Sequence, residues 1–231
     1  MTSSSPRVPR RVLVPGTPPV AGPLPLAGPP SVLGPPSTPV VRRADVGDIA
    51  WQVLLRDGDL VHLRDDAALP AGVHETPELR AAALAPLVPA RCAVARAAAV
   101  WVHLGGPPPD RVHVVAPRRV RVPEPAPGRS AAVADLPDRD VVSLGGVHVT
   151  TRRRTAVDLL SHDPPERALP LVVRLGAAGL DLDRVRADVA AAAGRRGVRA
   201  AAALLPRLPR ATAAPATAVA EVLRERPVSR R

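Results

Sequence analysis

The chain reads as a mixed α/β (α+β) protein in which a helix-and-wing module precedes a small β-sheet and several α-helices. Three observations predict this. Apolar residues recur at helical spacing in several Ala-rich stretches, two β-branched runs beyond residue 106 alternate with a period of two, and Gly and Pro pairs mark the boundaries between them.

Residues 1–43 hold 12 Pro, 4 Gly and five Arg but no acid. Runs such as PGTPPVAGPLPLAGPP have neither a helical nor a strand period, so a disordered arm of polyproline II character is expected. The recurring proline argues against a signal peptide, although Arg7, Arg10 and Arg11 precede apolar residues. No stretch approaches the ~18 uninterrupted apolar residues of a membrane span.

Order is expected from near Arg42. Ile49, Val53 and Leu54 share a helical stripe, Gly58 breaks it, and Leu60 to Leu63 opens an extended run: a helix feeding a β-wing. This module covers 44–90 and includes an Ala-rich helix at Glu78 to Leu87. Arg91 to Leu104 reads as a second helix, with Val94, Ala97, Trp101 and Leu104 along one stripe. Gly105-Gly106 ends it, and three consecutive prolines prevent its resumption. Arg111 to Val122 and Val141 to Thr151 are the strand-like runs, the latter reversing at Gly145-Gly146. Thr155 and Asp158 fit a capping box at the start of a helix running to His162. Three more helices are expected at 165–177, 181–194 and 197–205, closing a domain over 91–209. An Ala/Thr/Pro linker and a basic tail fill 210–231.

The composition excludes several activities. All 32 Lys+Arg residues are Arg, so no P-loop lysine or Schiff-base lysine exists. Phe and Tyr are absent, and Trp51 and Trp101 are the only aromatic residues. Binding of unpaired nucleic acid by base stacking is therefore not expected. A single cysteine, Cys92, can form neither an internal disulfide nor a thiolate zinc site, which points to a reducing, cytoplasmic compartment. The abundance of Ala, Arg and Pro reflects GC-rich coding as much as function, so the net charge of +11 is best read by segment. Residues 44–90 hold three Arg and eight acids, whereas 165–231 hold 13 Arg and six acids.

Catalytic motifs are weak. Ser161-His162-Asp163 has the residue types of a hydrolase triad, but consecutive side chains do not converge in hydrogen-bond series. His62, His113 and His148 each alternate away from apolar neighbours and read as solvated strand histidines. No metal or other cofactor is expected. Two basic clusters stand out instead. Arg152, Arg153 and Arg154 lie beside a helix start, and Arg195 and Arg196, with Arg199, flank a helix junction; both could engage an acidic protein face or nucleic acid.

The order of these features is R-x-G-D-L-V-x-L-R, A-R-A-A-A-V-W-V-H-L-G-G, a short sheet, G-G-V-H-V-T-T-R-R-R-T-A-V-D-L-L and G-R-R-G-V-R-A-A-A-A-L-L. It resembles the AbiEi-like antitoxins of type IV toxin–antitoxin systems, in particular the actinobacterial transcriptional-regulator type, over about 44–209. The resemblance implies a partial winged-helix-like N-terminal module that binds operator double-stranded DNA and an α/β domain that neutralises a nucleotidyltransferase-like toxin. Carried onto this chain, the DNA-contact candidates are Arg42, Arg43, Gln52, Arg56 and Arg64, with Trp51 on the recognition helix and His62 on the wing. The toxin-contact candidates are Arg152, Arg153, Arg154, Arg195 and Arg196. The very-short-patch-repair-like nuclease domain that follows in some relatives is not expected here. A non-enzymatic antitoxin-like regulator is the first expectation; a DNA-binding transcriptional regulator without a toxin partner is the alternative.

Overall fold

The computed structural model describes residues 39–124, 126–194 and 197–210. The expectations for the Pro-rich arm before Pro39, for Arg195 and Arg196, and for the tail after Arg210 lie outside the described residues. Within them the chain is mixed α/β, with eight α-helices and two sheets of three and five strands.

The first sheet belongs to the N-terminal module. Strand β1 (Val41–Arg42) leads into α1 (Arg43–Val46), and α2 (Asp48–Arg56) follows. Gly47 joins the two helices at φ 79°, a left-handed conformation that glycine adopts without steric cost. The wing is the hairpin of β2 (Leu60–Arg64) and β3 (Ala67–Pro70). β3 is central, giving the order β1-β3-β2 with every pairing antiparallel. Its side chains alternate: Ala68 packs with Trp51 and Leu60 in a small core, whereas Ala67 and Leu69 enter the main core.

Helix α3 (Pro77–Leu84) starts where Thr76 accepts a hydrogen bond from the Leu79 N–H and Pro77 occupies the first turn. The expected helix over Arg91 to Leu104 is instead a strand and a helix, β4 (Ala93–Ala95) and α4 (Arg96–Leu104). β4 is buried on both faces at the centre of the second sheet, and so short an apolar run gives no period to separate strand from helix. The run expected to continue to Val122 ends at Pro117, as β5 (Val112–Pro117).

Strand β6 (Arg129–Ala134), not anticipated, pairs in parallel with all six residues of β5. β7 (Val141–Leu144) and β8 (Val147–Thr150) form the expected hairpin through Gly145-Gly146. The sheet order is β6-β5-β4-β8-β7.

The capping box at Thr155 is corrected. Helix α5 (Arg152–His162) is capped by Thr151, whose Oγ1 accepts from the Arg154 N–H at 3.2 Å. Thr155 is buried one turn further on, its hydroxyl 2.7 Å from that of Thr150. Helices α6 (Pro165–Ala177), α7 (Leu182–Ala191) and α8 (Val198–Leu204) complete the C-terminal half.

Two large cores result, and α4 faces both. Its Ala98, Trp101 and Val102 join the sheet core, and its Val100 joins the helical core of Leu159, Leu160, Val172 and Val185. Cys92 is buried in the sheet core, where burial raises the thiol's pKa. Among the described residues, no helix is long and apolar enough to cross a membrane.

Candidate functional site

Three places bear the residues the sequence singles out or the chemistry it overlooks. The first is the outer face of α2. Trp51 points inward, 1% exposed, its ring in a T-shaped contact with the His62 imidazole, so it is a core residue and not a recognition residue. Gln52 and Arg56 are exposed on the same helix beside Ile49, 84% exposed, and Val53, 39% exposed. The other DNA-contact candidates are engaged within the chain. Arg42 donates to the Ala82 and Ala83 carbonyls at 2.6 and 3.2 Å, tying β1 to α3. Arg43 pairs with Asp48 at 2.7 Å, and Arg56 itself reaches Asp57 at 2.9 Å. The Arg64 side chain is only 9% exposed and lies 3.4 Å from Asp66. Arg42 and Arg64 are therefore corrected from surface contacts to structural residues.

The second place is the triplet Arg152, Arg153 and Arg154 at the start of α5. It is not a free basic patch, because each guanidinium has an acceptor in the fold. Arg152 donates to the Ala178 carbonyl at 3.1 Å, and Arg153 pairs with Asp188 at 2.5 Å. Arg154 is 13% exposed and bridges Asp140 at 2.8 Å, Asp158 at 2.9 Å and the Asp135 carbonyl at 2.8 Å. Burial lowers the Arg154 pKa, but the two carboxylates more than offset this and hold it above its ordinary value. Asp158 shifts upward, because its burial outweighs the attraction of Arg154. Arg154 is thus corrected from a partner contact to an internal ion-pair bridge.

The third place was not legible as a site. A cleft of about 190 Å³ opens where β5, β6 and the start of α4 meet the α5–α6 turn. Parallel pairing sets His113 of β5 beside Ser130 of β6, with the imidazole Nδ1 2.9 Å from the hydroxyl. Arg96 begins α4 at φ 54°, a strained conformation for a residue with a side chain, and its guanidinium lies 3.5 Å from Asp163. Arg111 and Arg167 complete the polar wall.

His113 Nε2 and Asp163 Oδ2 are buried without a partner among the described residues. Burial, with help from the Arg96 and His162 charges, pushes the His113 pKa down to about 4. Burial pushes Asp163 up, against the pull of Arg96. The expectation of a solvated strand histidine is corrected for His113, while His62 and His148 are exposed. Of the Ser161-His162-Asp163 string, only Asp163 lines this cleft. The alternation Val112-His113-Val114 marks a polar residue off the core face; Ser130 gives no signal, because the run Arg129–Ala134 has little strand character of its own. Among the described residues, no three His, Cys, Asp or Glu side chains converge to hold a metal.

No family model matches the chain, and no curated protein matches it. Among solved structures, the RV2827C protein from Mycobacterium tuberculosis is similar at 19% sequence identity, covering 74% of this chain and 72% of that chain with a TM-score of 0.39.

Proposed function

We propose that the chain is a non-enzymatic, cytoplasmic, antitoxin-like regulator that neutralises a nucleotidyltransferase-like toxin. The reading starts from the sequence resemblance, and one observation supports it most: a helix pair turning at Gly47 is followed by a hairpin in a β1-β3-β2 sheet, with the outer face of α2 exposed among the described residues. That face offers Ile49, Gln52, Val53 and Arg56 together. Exposed aliphatic side chains suit a protein partner, whereas the acids around the helix and wing, Asp45, Asp48, Asp57, Asp59, Asp65 and Asp66, oppose phosphates. The toxin contact accordingly moves from the Arg152–Arg154 triplet to α2.

The test is growth rescue when the chain is co-expressed with a nucleotidyltransferase-like toxin encoded beside its own gene. Rescue that is lost in Ile49→Asp, with the thermal midpoint unchanged, is the expected result. Rescue unaffected by that substitution places the contact elsewhere, and the lack of any such neighbouring gene overturns the antitoxin reading. Tight, sequence-dependent duplex binding at physiological salt without a toxin partner supports the alternative, a DNA-binding transcriptional regulator.

A further inference from the structure

The cleft between β5, β6 and α4 is independent of the α2 face, and its chemistry is that of an anion site. Arg96, Arg111 and Arg167 converge on it against one carboxylate, Asp163. Only Arg96 is paired, at 3.5 Å; Arg111 and Arg167 make no ion pair or side-chain hydrogen bond among the described residues and are exposed at the cleft's rim. The excess is two positive charges, the charge of a phosphate monoester near neutral pH.

A second observation points the same way. His113 lines the cleft with a buried Nε2 that has no partner, while its Nδ1 is held by Ser130. In the tautomer where Nδ1 accepts from the Ser130 hydroxyl, Nε2–H is an unused donor. A buried donor left unpaired is costly, and an anion oxygen admitted against the imidazole from the cleft would satisfy it. The N-cap residue of α4, Ala95, supplies no side-chain cap, so the helix's first-turn amides add to the same field. A neighbouring recess of about 480 Å³ shares Arg111 and Ser130 with the cleft and is lined also by Val122, Pro123, Glu124 and Arg129, which leaves room beside the cleft for the body of an ester.

We propose that this cleft binds a small phosphorylated molecule, with the phosphate gripped by Arg96, Arg111 and Arg167 and by the Nε2–H of His113. The site gives the regulator a ligand input separate from its macromolecular contacts, and it stands or falls without reference to toxin or DNA.

The experiment uses the full chain with inorganic phosphate and AMP as probes, and adenosine and sodium chloride at matched ionic strength as controls. Phosphate and AMP are expected to raise the thermal midpoint saturably, with the controls inert, and to move the His113 ring resonances at fixed pH. The double variant Arg111→Ala/Arg167→Ala changes only rim side chains and is expected to weaken AMP binding at least tenfold by calorimetry. An unmoved His113 resonance, a chloride effect equal to that of phosphate, or wild-type affinity in the double variant each overturns the proposal. The resonance measurement needs no variant, so the outcome does not depend on the double variant folding.

Discussion

Arg154 and Arg153 are adjacent and chemically identical, yet they face different dielectric surroundings. Arg154 is 13% exposed between Asp158, 10% exposed, and Asp140, 23% exposed. Arg153 is 48% exposed against Asp188. Removing the cation from the buried pair strands a carboxylate where water does not reach it, so Arg154→Ala is expected to cost about 3 kcal/mol in urea unfolding. Arg153→Ala is expected to cost under about 1 kcal/mol, since water and salt screen that pair. Equal losses would mean that the Arg154 bridge is no drier than the Arg153 pair. His113 gives a pH prediction. Its folded pKa of about 4 lies below the ordinary 6.5, so between those values the unfolded chain binds the proton that the folded chain refuses. Its contribution to stability is complete above about pH 6.5 and is lost as pH falls towards 4, by at most about 3 kcal/mol. The raised carboxyls of Asp158 and Asp163 act in the opposite sense. The His113 part is therefore the stability difference between wild type and His113→Gln, which should slope across that window; parallel curves would place His113 in water.

At the scale of elements, the turn between β7 and β8 is decided by two glycines that do different things. Both have positive φ, 51° at Gly145 and 78° at Gly146. A Cβ on Gly145 would be driven into the Glu78 carbonyl oxygen of α3, whereas one on Gly146 meets nothing. Gly146→Ala should therefore cost only the left-handed backbone penalty, about 1 kcal/mol. Gly145→Ala must also push α3 off the hairpin and should cost at least about 2 kcal/mol more. Matching losses would show that α3 does not rest on the turn. The hairpin was legible because period-two alternation and paired glycines are local signals, and the last three helices were legible from their apolar stripes. β4 was hidden because burial on both faces erases alternation, and β6 because Arg-Ser-Ala-Ala-Val-Ala has little strand character and is held by its parallel pairing with β5. The start of α5 is ambiguous in the sequence because Thr151 and Thr155 both precede acceptable first turns, and only tertiary packing makes Thr155 a buried partner of Thr150. The cleft shares this origin: its walls come from β5, β6, α4 and α6, so no single stretch of sequence carries its signature.

Across the whole molecule, the N-terminal module is too small to stand alone. Its own core has three buried residues, Trp51, Leu60 and Ala68, far short of what an independent domain needs. The module is instead continuous with the sheet domain. Leu63, Ala67 and Leu69 share one cluster with Val94, Trp101 and Val149, so the apolar core runs through the sequence boundary at residue 90. Within the module, Arg42 ties β1 to α3 through the Ala82 and Ala83 carbonyls. Because β1 begins at Val41, a truncation meant to remove the arm has to stop before Pro39; one ending at residue 43 also removes this strand and the Arg42 tie. The two tryptophans report on the two parts, since Trp51 lies in the module's core and Trp101 in the sheet core. Trp51→Phe and Trp101→Phe variants each leave one fluorescent reporter. If the module depends on the sheet core for its stability, the two reporters should give the same urea midpoint and slope once each variant is referenced to its own circular dichroism transition. A Trp51 signal that melts at lower urea than the helices of the same variant would show the module to be a separately folding unit, free to rearrange on a partner while the rest of the chain stays intact.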